Sequence, residues 1–343
     1  MAGARGYHTY RGRTPKGKIA LAVVLVLIIL ASVVFIFIQQ FVVYDGSGTP
    51  HLQLPGSQTQ QEDTPPDETE DVEITIDTPP VTSVHLTELA QTPLTQADVQ
   101  AALAAGEGGV VVTLKDSGGY VYYDTAMPQA AASIQTSEDT AAALAALTAD
   151  EDCYTVARIS CLLDPRAARA DVEGMGLKNT GGYIFYDGNN LNWLDPSKTG
   201  TQEYLAGLVK ECAAMGFDEI LLTDVSFPTE GKLNKIAYPA AGMQESIRAF
   251  LQAMDAALAS YPDMKLSVEV PEGVITLGQD ETAGLVLSDI APLVDRIYAQ
   301  TTEASISALA AAVEAANADT EFVPELTAAP ADEQQSYLLA AQS

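Results

Sequence analysis

The stretch Gly216-Phe217-Asp218-Glu219-Ile220-Leu221-Leu222-Thr223-Asp224-Val225-Ser226-Phe227-Pro228 decides the fold. Upstream of it, Tyr204, Leu205, Leu208, Val209, Cys212 and Met215 recur at helical spacing, and that apolar face stops at Gly216. The unbroken run Ile220-Leu221-Leu222 follows, and polar side chains gather before Pro228. A helix closed by glycine and then a strand apolar on both faces describes a buried parallel strand in a sheet covered by helices. In a barrel, the C-terminal end of such a strand opens onto the face where sites are built.

Working outward, strand-like runs fall at 83–87, 110–116, 154–161, 219–225, 266–270, 296–300 and 322–326. Helical patterns lie between them, with Ile247, Phe250, Leu251, Met254 and Leu258 forming a second apolar face. Strand and helix in alternation imply parallel pairing through right-handed crossovers, hence an α/β fold that is a TIM-barrel-like (β/α) barrel or a doubly wound sheet. Residues 81–343 are enough for one such domain. Seven strands are counted where a barrel needs eight, and the end of the chain, 337–341, reads as helical. Either one strand is unread or the barrel is open.

The chain begins differently. Residues 1–18 carry Arg5, Arg11, Arg13, Lys16 and Lys18 and no acid, and no charge occurs from Ile19 to Ile38. At about 1.5 Å per residue such a helix crosses a bilayer core of roughly 30 Å. The expectation is a transmembrane helix at 19–43 that engages the lipid bilayer, with a basic cytoplasmic tail and everything beyond it extracytoplasmic. A cleaved signal peptide would need a small-x-small site, and Gln39-Gln40-Phe41-Val42-Val43 offers none. Residues 44–80, rich in Pro, Thr, Gln, Asp and Glu, predict a disordered acidic linker. All 46 acids follow the span with 12 bases (17 less the five before Ile19), a net charge of −34. Nucleic acid and anionic lipid surfaces are poor partners for that part of the chain.

Five segments together resemble a largely uncharacterised family of glycoside-hydrolase-like TIM barrels. Gly216 to Pro228 is similar to the family's Gly-Phe-Asp-Glu-Ile strand, with Thr223, Asp224 and Ser226 where the family has Asp, Tyr and Arg. Val110 to Asp116 with the turn Ser117-Gly118-Gly119 resembles its second strand. Ala157-Arg158-Ile159 with Asp164-Pro165 resembles its third, and Trp193-Leu194-Asp195-Pro196 the loop that follows. Val323-Pro324-Glu325-Leu326 resembles a late Arg-Pro-Trp-Leu-Gln segment. The resemblance implies a TIM barrel that acts on a polysaccharide or cell-wall glycan, and no cofactor is expected.

A glycosidase needs two carboxylates flanking the scissile bond. Asp224 and Glu269 are the expected catalytic pair, with Glu269 just before the turn-like Pro271-Glu272-Gly273. Because side chains alternate along a strand, Asp224 one place beyond the family's acid faces the other side of the sheet unless the register slips. Lys115, Asp116 and Arg158 lie at adjacent strand ends, either as a substrate clamp or as a buried ion-paired cluster. Asp164 and Glu325 are further substrate-binding candidates. Trp193, the only tryptophan, stacks on a sugar or anchors its own long loop. His8, His51 and His85 lie away from the other strand ends, which argues against a Ser-His-Asp triad or a histidine-ligated zinc site, and no metal is expected. Asp187-Gly188-Asn189-Asn190-Leu191 reads as a turn rather than a calcium loop. Cys153, Cys161 and Cys212 read as buried thiols, with a disulfide through Cys212 left open.

The sequence thus predicts a membrane-anchored, extracytoplasmic glycoside-hydrolase-like protein acting on or binding an envelope or extracellular polysaccharide. The alternative is a pseudoenzyme that binds glycan or serves as a scaffold. Thr223, Ser226 and the absence of a readable last strand favour the alternative.

Overall fold

A computed structural model describes residues 42–44, 50–52, 83–105, 108–332 and 334–341. The chain divides into two compact units, Met1–Ile76 and Asp77–Ser343. In the first unit Val42–Tyr44 pairs antiparallel with Pro50–Leu52. The end of the expected span and that part of the expected linker are therefore extended. Val-Val-Tyr favours a strand. Residues 19–41, which carry most of the expected membrane helix, lie outside the described residues, as does most of 44–80. Among the described residues no helix is long and apolar enough to cross a membrane.

The second unit is built on a closed parallel barrel of eight strands. They are β1 His85–Leu89, β2 Gly109–Lys115, β3 Tyr154–Ser160, β4 Glu219–Thr223, β5 Lys265–Glu269, β6 Arg296–Gln300, β7 Glu321–Leu326 and β8 Tyr337–Leu339. Each pairs with its neighbour in chain order, and β8 closes on β1 through Tyr337↔His85, Leu338↔Leu86 and Leu339↔Thr87. The segment 337–341 is therefore not helical but supplies the missing strand. Its seam is sealed by the His85 and Tyr337 rings stacked at 4.6 Å.

Alternation along the strands sends one set of side chains into the barrel. Leu86, Val111, Val156, Leu221, Tyr298, Val323 and Leu338 fill its middle as one cluster. Below them, at the N-terminal end, Glu219 accepts hydrogen bonds from Ser267 (2.5 Å), Tyr298 (2.8 Å) and Tyr154 (2.9 Å) and pairs with Arg296 at 2.5 Å. Burial, followed by the charge of Glu219, pushes the Tyr154 and Tyr298 hydroxyls well above their usual range. This end is a satisfied polar plug, and side chains fill the barrel above it.

Helices alternate with the strands, beginning with α1 Gln96–Ala105, α2 Thr140–Thr148 and the short α3 Pro165–Ala170. In α4, Thr199–Met215, the stripe Tyr204, Leu205, Leu208, Val209 and Cys212 is buried, and in α5, Met243–Ala257, the stripe Ile247, Phe250, Leu251 and Met254 is buried. Gly216 ends α4 at φ 92°, a left-handed cap that costs glycine little.

Candidate active site

The C-terminal mouth is where the inward side chains become polar. Arg158 of β3 pairs with Glu88 of β1 at 2.7 Å, Glu269 of β5 at 2.7 Å and Glu325 of β7 at 3.1 Å. One guanidinium thus spans the barrel and faces three carboxylates. Its fork geometry suits this: Nη1 donates to Glu88, while Nη2 donates to both Glu269 and Glu325. Burial, only partly offset by Arg158, pushes the Glu325 carboxyl above the ordinary carboxylate range. Glu269 is the most exposed of the three acids, with 30% of its side chain accessible against 9% for Glu325.

Above this cluster lies an open cavity of about 590 Å³, lined by Arg158, Thr223, Asp224, Val225, Ser226, Glu269, Val270, Pro271, Glu272, Leu285 and Gln300. Thr223 and Asp224 are consecutive, yet both line it. The reason is local: β4 ends at Thr223 and Asp224 turns into the left-handed region at φ 54°. Strand parity no longer governs it, so its carboxylate reaches the mouth without a slip in register. Asp is among the residues that tolerate this conformation. The turn is pinned by Leu162 donating its N–H to the Asp224 carbonyl at 3.2 Å and by Ser160 donating Oγ–H to the Asp224 carboxylate at 2.6 Å. Pro271-Glu272-Gly273 is the start of a short helix, α6 Glu272–Leu277, rather than a simple turn. Glu272 accepts a hydrogen bond there from Thr301 at 3.0 Å.

The residues of the expected clamp fall into three separate assemblies. Lys115 does not join Arg158. A register shift between Thr113 and Lys115 redirects it, and its ammonium pairs with Asp164 at 3.0 Å and donates to the Ser160 carbonyl at 2.6 Å. Asp164 in turn accepts the N–H groups of Arg166 and Ala167, capping α3. Both side chains of the pair have no exposed surface. Of the two readings of Lys115, the buried ion-paired one is built, and Asp164, a substrate-binding candidate, is its enclosed partner. Gly119, at φ 81°, completes the corner, since a Cβ there would meet Asp164 Oδ1 at 2.2 Å. Asp116 is taken up by its own loop, accepting from Tyr122 Oη and the Tyr120 N–H, each at 2.8 Å.

Trp193 donates its indole N–H to Asp187 at 2.9 Å, and Asp187 also accepts from the N–H groups of Asn189 and Leu191. Of its two expected roles, the loop anchor is the one built. Tyr183 and Tyr186 are exposed instead, by 76% and 46%, on the loop after β3, and Tyr238 by 38% on the loop after β4. The two loops are joined by hydrogen bonds from Thr180 to Lys235 and from Ala237 to Lys178, both 2.8 Å. Tyr238 lies 5.8 Å from Phe227, the residue after cavity-lining Ser226. Cys161 and Cys212 are buried free thiols, and burial pushes Cys161 up to about 12.

A closed (β/α)8 barrel with a carboxylate-lined cavity at its C-terminal mouth defines the class in which glycoside hydrolases are found. Residues 84–301, more than half of the chain, match the family model described as "putative glycosyl hydrolase domain", and the chain belongs to that family. No curated protein matches it. Among solved structures it is similar to a hypothetical protein from Ruminiclostridium thermocellum (24% identity, 54% of this chain and 96% of that one, TM-score 0.44). It is also similar to the α-galactosidase TtGalA from Thermus thermophilus (13%, 66% and 45%, TM-score 0.41). A third is the glycoside hydrolase domain of PelA from Pseudomonas aeruginosa (12%, 71% and 83%, TM-score 0.39).

Proposed function

We propose that this protein is a glycoside hydrolase that cleaves a polysaccharide outside the cytoplasm, tethered to the membrane through residues 19–43, with Asp224 and Glu269 as its two carboxylates. One observation carries the catalytic assignment: the acids at the ends of adjacent strands β4 and β5 line one open cavity at the barrel mouth. Its volume lies within the range of about 300 to 1,000 Å³ common for ligand sites. In the proposed reaction one carboxyl protonates the glycosidic oxygen as the bond to the anomeric carbon breaks. The other either attacks that carbon or takes a proton from the water that does. Arg158 orients Glu269, and Ser160 orients Asp224, so both are positioned before substrate arrives. Tyr238, packed on Phe227 next to cavity-lining Ser226, supplies an aromatic face for a sugar ring beside the cavity.

The test is release of new reducing ends from a panel of cell-wall and storage polysaccharides, with co-sedimentation measured alongside. Turnover that disappears in Asp224→Asn, a variant that keeps the left-handed turn, supports the assignment. Binding without turnover by the wild-type protein would replace it with a glycan-holding pseudoenzyme.

A further inference from the structure

The chain carries a net charge of −29, so its guanidinium groups do not want for carboxylates. Of the five arginines among the described residues, Arg158, Arg248 and Arg296 each pair with at least one. Arg166 and Arg169 do not, and both line the same pocket. This pocket, about 470 Å³, lies between the loop after β2 and helix α3, and Gly118, Gln129 and Ser133 complete its polar wall. Arg166 is held there by the face of Tyr120, with its guanidinium carbon 3.5 Å from the ring centroid. Stacking of this kind fixes the plane of the group and leaves its N–H edge free to donate. Independently of the arginines, the Gln129 side-chain oxygen in the same wall is buried with no hydrogen-bond partner.

We propose that this pocket is a binding site for an oxyanion, a carboxylate or phosphate group carried by a hydroxylated ligand such as a sugar or polyol. Arg166 and Arg169 take the anionic oxygens, and the ligand's hydroxyls face the polar wall of Gln129 and Ser133. The site is separate from the cavity at Asp224 and Glu269 and does not depend on the reaction there.

The test is isothermal titration of the full-length protein with glucuronate, glycerol phosphate and glucose at low salt. At least one anion binds, glucose does not, and added sodium chloride weakens the binding. Binding of only one anion tells whether the site takes carboxylate or phosphate. Losing a charge-assisted contact lowers affinity at least about tenfold in Arg169→Gln, and Arg166→Gln/Arg169→Gln together abolish binding. Arg248→Gln, at a guanidinium already paired with Glu245, leaves it unchanged. Should Arg166→Gln fail to fold because Tyr120 loses its partner, the exposed Arg169 carries the test alone. Absence of binding by both anions, equal binding of glucose, or affinity retained in the arginine variants overturns the proposal.

Discussion

Replacing Arg158 by Met removes the cation that Glu88, Glu269 and Glu325 all face and leaves a side chain of similar length in its place. Three acids from three strands are then crowded in a mouth where Glu88 and Glu325 are largely shielded from water. Breaking a buried pair from one side costs about 3–5 kcal/mol. The acids limit this by taking up a proton, which for a carboxyl of ordinary pKa costs about 3.7 kcal/mol at pH 7 and about 1 kcal/mol at pH 5. Glu325, already raised by burial, accepts that proton first, so the loss should be about 3 kcal/mol at pH 7 and below about 1 kcal/mol at pH 5. Urea midpoints of wild type and Arg158→Met at the two pH values measure it. Adding Glu325→Gln to the variant should restore part of the loss at pH 7 and little at pH 5. A penalty under about 1 kcal/mol at pH 7, or one equal at both pH values, would refute the view that this guanidinium neutralises the mouth.

Three further outcomes follow from the same geometry. Glu325 is raised above its value of 4.5 in the unfolded chain, so the folded state holds more proton and stability falls as pH rises from 4.5 through the folded pKa. Glu325→Gln should therefore melt higher than wild type at pH 8, and the difference should vanish near pH 4. Asp187→Ala frees the indole of the sole tryptophan, so emission of Trp193 should shift to the red and stability drop by about 1–2 kcal/mol, as seen by fluorescence-monitored urea unfolding. Cys161, pushed up to about 12 and fully enclosed, should resist a thiol-specific chromogenic reagent at pH 8 until urea unfolds the barrel.

What the sequence made legible is what short-range pattern encodes. Seven strands stand out because their apolar and β-branched runs are long, and the helix ending at Gly216 because glycine takes the left-handed cap. The eighth strand was not legible, since Tyr337-Leu338-Leu339 is three residues long and flanked by residues that also suit a helix. Glu88 was missed because β1 runs two residues past its expected end, to Leu89. The bulge that sends Lys115 to Asp164, and the positive φ that brings Asp224 to the mouth, are single-residue departures from strand geometry. Period-two reasoning has no means of registering them. The three acids that meet Arg158 lie 70, 111 and 167 residues from it in the chain, a convergence that barrel closure creates.

The most direct measurement for the whole account is kcat/KM on a polysaccharide that the wild-type protein cleaves, compared among wild type, Asp224→Asn and Glu269→Gln. Losing either catalytic carboxylate should lower it at least about 10²- to 10⁴-fold, while circular dichroism shows the barrel intact. Turnover within about threefold of wild type in either variant would contradict the assignment of these two acids, since losses from general acid–base groups are larger.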